Sequence, residues 1–425
     1  ILYWFSRWRA FSDMELREVF DAFEEYDIPM DVLVIDMYWH ITSEPEFFFD
    51  GKRGKDQAGE NFGWTGFTWN TAFFPEPETF LDWTEEKGLK TCLNLHPASG
   101  FQPQESQYEA LAKAMGVDPT TKKYVPFNIT NKTFAKNYFQ QVLHPMEEQG
   151  IDFWWLDWQQ WNTTDIPGVN PTFYLNYVHY TDMECQGEIR PLIYHRWGGL
   201  GNHRYQIGFS GDTKISWKSL DYQPYFTSTA SNVGFGYWGN DIGGFYSGDK
   251  DSDELFTRWF QYGIFSPIVK THATGDFSIK RRIWQYPHET FEHLRDLIHF
   301  RYALIPYIYT AARQTYDTGI SLCRPMYYDY PKDQQSYDLK NQYMFGDDML
   351  VSPVTKQMDP NNLYAMQTVW LPEGQWYEWS SGTLMSGGQT VQRPFTLTEI
   401  PLYVKAGAVI PMQPKMRYDS EKPAD

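Results

Sequence analysis

Eight short apolar runs recur along the first three-quarters of the chain, and several are separated by stretches of helical periodicity. The runs are Leu2–Ser6, Met30–Asp36, Lys90–His96, Phe153–Trp158, Pro191–Arg196, Gln206–Asp212, Asn232–Trp238 and Ile264–Lys270. Amphipathic segments such as Asp13–Tyr26 and Phe134–Gln149 lie between them. A strand that is apolar at nearly every position must be covered on both faces, as in a parallel sheet flanked by helices. Eight such units predict an α/β fold of the closed (β/α)8 TIM-barrel kind. An open doubly wound sheet is the competing arrangement, but no Gly-rich phosphate loop follows any of the runs. Polar residues sharpen the choice. Asp36, His96, Asp157, Arg196 and Asp212 each stand at or next to the end of an apolar run. In a barrel the carboxyl ends of the strands share one face, so these side chains would converge there.

After about Pro325 the texture changes. Met349–Pro353, Gln367–Leu371, Trp376–Trp379 and Leu402–Val404 read as short strands, with turn signals at Pro372–Gly374 and Ser386–Gly388. That pattern predicts a C-terminal antiparallel β-sandwich. The expected organisation is a barrel over residues 1–325 followed by a sandwich domain over residues 326–425.

The 425 residues carry a formal net charge of −18, with no run of lysine or arginine. Nucleic acid and anionic membrane both call for a basic footprint, so neither is an expected partner. No apolar stretch is long enough to span a bilayer. Cys92, Cys185 and Cys323 form neither a disulfide framework nor a zinc pattern, and no metal or other cofactor is expected. The chain opens at Ile1 rather than at methionine, as a processed or trimmed chain would. It carries no signal for compartment or oligomeric state.

Two constellations carry chemistry. In IDFWWLDWQQW, residues 151–161, an aspartate ends a strand packed with tryptophan, where excluded water strengthens local electrostatics. In GFSGDTKISW, residues 208–217, Asp212 follows a turn of small residues. Alone, each aspartate is as well explained as a helix cap or a turn residue. On strands of one barrel they become a pair, and paired carboxylates flanking a cleft are the machinery of glycoside hydrolysis. One attacks or stabilises while the other protonates the leaving oxygen. The first must stay ionised; the second needs a pKa raised by burial and by its negative neighbour. A neutral sugar suits an acidic chain. Aromatic residues at 18% would supply flat rings to stack on it, or simply a large aromatic core.

These segments resemble glycoside hydrolase family 31, the α-glucosidase and α-xylosidase family. WLDWQQ at 155–160 is similar to its nucleophile segment, with Asp157 on the nucleophile. HRWGGLGNHRYQIGFSGD at 195–212 resembles the stretch that places Asp212 on the acid/base and Arg196 on the sugar-binding arginine, with Phe209 replacing a tryptophan. WGNDIGGF at 238–245 puts Asp241 and Phe245 in the subsite for the terminal sugar, and FSPIVKTHATG at 265–275 adds His272. VLVIDMYWH at 32–40 aligns Asp36 with the aspartate that holds the far hydroxyls. FTWNTAFFPEPETFL at 67–81 and the run from FGDDMLVSPV to IPLYVKAGAVIP also fit, so the resemblance covers nearly the whole chain in order.

The resemblance implies a retaining, exo-acting α-glycosidase that needs no cofactor and acts on an oligosaccharide or glycoconjugate. Asp157 would attack the anomeric carbon while Asp212 protonates the leaving oxygen; Asp212 would then deprotonate the water that frees the sugar. Asp36, Arg196, Asp241 and His272 would hold ring hydroxyls, with Trp155 and Phe245 shaping the apolar side. α-Glucose is the first expectation. An α-xyloside, α-galactoside or α-N-acetylgalactosaminide stays open, as does transfer to an acceptor sugar. A non-catalytic carbohydrate-binding barrel also stays open, although both carboxylates are present. Three departures bear on the sugar: Trp158 follows the nucleophile where methionine is usual, His96 replaces a carboxylate, and Lys270 replaces an arginine.

Overall fold

The computed structural model describes residues 2–41, 64–157, 164–187, 189–196, 199–248 and 252–416. The chain packs as two compact units, one of residues 6–22 and 32–209, the other of residues 1–5, 23–31 and 210–425.

Eight strands are present, five lying inside the expected apolar runs and the other three overlapping them: β1 (Tyr3–Arg7), β2 (Val32–Ile35), β3 (Lys90–Leu95), β4 (Phe153–Leu156), β5 (Ile193–His195), β6 (Ile207–Ser210), β7 (Trp238–Asn240) and β8 (Val269–Thr271). In the first unit β2 to β6 pair in parallel in chain order, Ile35 opposite Leu93, Leu95 opposite Leu156, and Leu156 opposite His195. In the second, β1 runs parallel to β8 with Tyr3 opposite Val269, and Ile242, just past β7, bridges to Thr271. β2 and β4 are buried at every position, which is why they read as unbroken apolar runs. Helices such as Asp13–Glu25, Pro77–Glu86, Pro171–Gln186, Trp217–Ala230 and Asp253–Ile264 occupy the intervals. Parallel strands alternating with helices eight times over make the (β/α)8 pattern.

Two runs are misplaced as strands. Within Asn232–Trp238 the chain makes a 3-10 turn over Ser231–Val233, and Gly234 follows at φ 83°. The strand starts only at Trp238. Ile264 and Phe265 end the helix Asp253–Ile264, after which Ser266 and Pro267 turn the chain into β8. A buried helix end and a buried strand present the same apolar run. The expected helix Phe134–Gln149 is helical over Lys132–Glu147 but widens into a π turn at Phe139–Leu143. Pro145 lacks the N–H that an unbroken α ladder would use there.

The C-terminal part is antiparallel, as expected. β9 (Cys323–Pro325), β10 (Tyr343–Phe345), β11 (Met349–Val351), β12 (Ala365–Leu371), β13 (Gln375–Glu378), β14 (Leu384–Ser386), β15 (Gln389–Phe395) and β16 (Leu402–Lys405) form two sheets. Their orders are β14-β13-β16-β11-β10-β9 and β12-β15. Met344, Leu350, Trp376 and Tyr403 of the larger sheet share one core with Val369, Trp370 and Leu371 of the smaller. Arg258, buried on the helix Asp253–Ile264, donates to the carbonyls of Phe395, Thr396 and Glu399 and so pins this domain to its own unit. Among the described residues no helix is long and apolar enough to cross a membrane.

Candidate active site

Three consecutive strand ends in the first unit build one charged cluster. The register that sets Leu95 opposite Leu156 and Leu156 opposite His195 continues one residue further, placing His96, Asp157 and Arg196 side by side. The Asp157 N–H donates to the Leu95 carbonyl at 3.1 Å and the Arg196 N–H to the Leu156 carbonyl at 3.3 Å. Arg196 Nε then lies 2.6 Å from Asp157 Oδ1, while His96 Nε2 and Asn94 Nδ2 lie 3.4 and 3.3 Å from Oδ2. Asn94 on β3 and His96 just past its end sit two residues apart and therefore share a face. All four side chains are buried. Burial alone would push the Asp157 carboxyl up. The Arg196 guanidinium, followed by His96, outweighs it and holds the group well below the usual carboxylate range.

An aromatic wall fixes the arginine. Trp155 packs edge-on against Phe209 at 5.7 Å between ring centroids, Tyr194 stacks on Phe209 at 4.5 Å, and the guanidinium carbon of Arg196 sits 5.1 Å over the same ring. Asp36 is buried after β2, where Oδ1 accepts the Met37 N–H at 2.7 Å and caps a short 3-10 turn, Met37–Trp39. Trp158 lies outside the described residues.

The second unit carries a separate constellation after β6, β7 and β8. Asp241 and Lys270 are fully buried, with Lys270 Nζ 2.9 Å from Asp241 Oδ1. Asp241 Oδ2 accepts the backbone N–H of Asp212 at 3.3 Å. Asp212 itself is half-buried and sits at φ 57°, in the left-handed region that residues other than glycine, asparagine and aspartate rarely enter. Phe245 stacks on His272 at 5.3 Å and 21°. The turn that delivers Phe245 depends on Gly243 and Gly244, at φ 94° and 79°, whose carbonyls each accept from Arg281 Nη2 at 2.7 Å. A Cβ on Gly243 would come within 2.7 Å of Phe256 and 2.8 Å of Arg281.

Of the residues singled out from sequence, His96, Asp157 and Arg196 are brought together with the Trp155–Phe209 wall, and Asp212, Asp241, Phe245 and His272 form the other group with Lys270. Sequence reasoning missed Asn94 and Arg281. A lone amide inside the apolar run of β3, two residues before His96, was the available signal for Asn94; nothing in the sequence marks Arg281. A cavity of about 960 Å³ in the second unit, lined by Asp221, Asn341, Thr355 and Gln367 among others, includes none of these groups.

Asp157 is a buried carboxylate kept charged by a guanidinium, which is the state a nucleophile or an electrostatic stabiliser of developing positive charge requires. Sequence comparison agrees with the strand order. The model of the glycosyl hydrolases family 31 TIM-barrel domain matches residues 2–311, and that of the family 31 C-terminal domain matches residues 319–410. The chain belongs to glycoside hydrolase family 31. An α-xylosidase of Saccharolobus solfataricus is 30% identical to this family 31 chain, covering 99% of it and 56% of the relative. Neutral α-glucosidase C of Mus musculus is 27% identical over 96% of the chain and 46% of its own length. The chain thus spans about half the length of the curated family 31 relatives it matches. A family 31 dextranase of Flavobacterium johnsoniae superposes with a TM-score of 0.81 at 23% identity, covering 99% of this chain and 53% of that one. An α-xylosidase from a soil metagenome gives 0.77 at 23%, over 96% and 63%. At such identity the likeness is one of fold.

Proposed function

We propose that this chain is the core of a retaining, exo-acting α-glycoside hydrolase that releases a terminal α-linked sugar, with glucose the preferred one. Its barrel would run over residues 1–325 and its C-terminal sandwich over residues 326–425. The observation that carries the reading is the Asp157 carboxylate, buried yet held ionised by Arg196 at the end of β4. In this mechanism Asp157 attacks the anomeric carbon and forms a glycosyl ester. Asp212 gives its proton to the leaving oxygen and then takes one from the water that opens the ester. Arg196, spread over Phe209, serves two ends: it keeps the nucleophile charged and offers its remaining N–H groups to a sugar hydroxyl. Asp36, Asp241 and His272 are assigned to other hydroxyls, and Trp155, Trp158 and Phe245 to the apolar walls. His96 is assigned to the sugar as well. Its Nε2, 3.4 Å from Asp157 Oδ2, supports a second part in positioning the nucleophile. Hydrolysis by this route passes through no metal.

A second sugar has its own support, since the relative at 30% identity is an α-xylosidase. A panel of para-nitrophenyl α-glycosides, with proton NMR of the first-formed sugar, tests both points. The highest kcat/KM is expected on the α-glucoside, and the α anomer is expected first. Preference for the α-xyloside would replace the sugar but keep the mechanism. A β anomer formed first, or no turnover on any member, would sink the proposal.

A further inference from the structure

A half-buried group of metal-ligating side chains lies on the other face of β4. Strand neighbours point to opposite faces, so Trp154 is directed away from Trp155 and toward the helices of the first unit. There its indole Nε1–H donates to Glu147 Oε1 at 2.7 Å. His144 and Glu147 stand one turn apart at the end of the helical segment Lys132–Glu147, and Asp182 faces them from the helix Pro171–Gln186. One potential ligand atom from each lies within 4.8 Å of the other two. His144 Nε2 is 2.8 Å from Asp182 Oδ2. Gln186 Nε2 donates to both carboxylates, at 3.0 Å to Asp182 Oδ2 and 3.3 Å to Glu147 Oε2.

Among the described residues neither Glu147 nor Asp182 pairs with a lysine or arginine; an indole, an amide and an imidazole are their partners. Two carboxylates and an imidazole converging without a cationic side chain make a coordination set for a divalent ion.

We propose that His144, Glu147 and Asp182 bind a divalent transition-metal ion, best matched by Zn2+, with Gln186 as fourth ligand. Zinc takes imidazole nitrogen and carboxylate oxygen in a four-coordinate shell, whereas Mg2+ and Ca2+ favour all-oxygen shells. The Gln186 amide reaches the site already. Turning it over exchanges N–H for Oε1 with no change of shape, converting a donor to the carboxylates into a ligand for the ion. Binding through Nε2 requires the lone pair of a neutral imidazole, whose single proton then sits on Nδ1. The Trp154 indole holds Glu147 in place, as an outer partner of a ligand does. The ion would join two helices on the side of β4 that Trp154 faces, opposite to Trp155.

The test uses the full chain, stripped with a chelator and titrated with Zn2+ by calorimetry, with native mass spectrometry for stoichiometry and a thermal melt for linkage. One Zn2+ per chain and a rise in Tm are expected, with Mg2+ leaving Tm unchanged. His144→Ala and Asp182→Ala should each weaken binding at least ~10-fold, and Gln186→Leu should do so by a smaller factor. Should an alanine variant fail to fold, as judged by circular dichroism, His144→Gln and Asp182→Asn take its place. Hydrolysis of the preferred para-nitrophenyl glycoside is expected to be the same with and without the ion. No 1:1 binding would overturn the proposal, leaving a plain His144–Asp182 ion pair. Wild-type affinity in both variants, or equally tight Mg2+ binding, would overturn it too.

Discussion

Asp157 and Glu105 are buried carboxyl groups of the same compact unit, 5% and 6% exposed, and their surroundings drive them in opposite directions. Glu105 accepts from neutral donors, the Phe67 N–H at 3.1 Å, the Thr68 hydroxyl at 2.5 Å and the Thr68 N–H, and burial pushes it up to about 7. Asp157 meets the same cost of burial, but a guanidinium at 2.6 Å and an imidazole at 3.4 Å carry it below the ordinary range. Burial sets what ionisation costs; the charge of the partner decides whether it happens. In this chain a permanent cation on the next strand, rather than exposure, separates a carboxyl fit for nucleophilic work from one that is not.

The harshest test removes the charge itself. Asp157→Asn should lower kcat on aryl glycosides by several orders of magnitude in a protein that still folds, and azide should restore turnover with a β-configured product. Asp212→Ala should cost about 10²–10⁴-fold on substrates with poor leaving groups and far less on para-nitrophenyl glycosides, which need no proton. Wild-type rates in either variant would remove the role given to it. Lys270→Met would extend the comparison to Asp241 by leaving that fully buried carboxylate without its cation. We expect a loss of roughly 3–5 kcal/mol in urea denaturation, largely recovered in the Lys270→Met/Asp241→Asn pair; an unchanged midpoint would show the ion pair to be idle. Arg196→Met should make Asp157 resemble Glu105. With burial opposed by His96 and Asn94 but no longer by the guanidinium, the acid limb of kcat/KM should move to higher pH.

Glu105→Gln is the mildest of the series. Below pH 4.5 the glutamate is protonated in both folded and unfolded chains and costs nothing. Between pH 4.5 and about 7 the unfolded chain loses the proton while the folded one keeps it, so stability falls as pH rises. At ~1.4 kcal/mol per pH unit of separation the penalty reaches a few kcal/mol by pH 8. Glutamine can present its carbonyl oxygen to the same neutral donors and never ionises, so the variant should gain that amount at pH 8 and nothing at pH 4. Equal slopes of stability against pH in parent and variant would contradict this. Asp157 has the opposite sign: its contribution is fully present above its unfolded pKa near 3.8 and is lost as pH falls through its depressed folded value.

Much of this was legible in the sequence because a parallel strand buried on both faces admits few polar residues, so those that stand at its end are conspicuous. Asp157, His96 and Arg196 were found that way, and the register brings them together. Runs that mix helix end, turn and strand were not legible. Ile264 and Phe265 are as apolar as any strand, and Val233 to Trp238 alternates like one although Gly234 turns the chain. His96 was visible as a strand-end residue, but that it leans on Asp157 rather than only facing a sugar depends on a register that periodicity leaves undetermined. The left-handed backbone of Asp212 left no mark at all, since aspartate is unremarkable after Ser-Gly in any turn.

Gly243 and Arg281 stand thirty-eight residues apart in sequence, yet the guanidinium of one occupies the space where a side chain on the other would go. For a lineage accumulating substitutions they form one heritable character. Any larger residue at 243 collides with Arg281 and Phe256, while loss of Arg281 strips the donors from two buried carbonyls, so the first step of a change is harmful from either side. A saturation library at 243 should return glycine alone, and varying 281 with it should not suffice while Phe256 and the positive φ remain. Phe245 and its neighbours would then be inherited as a block, and novelty in this fold would have to enter through other loops.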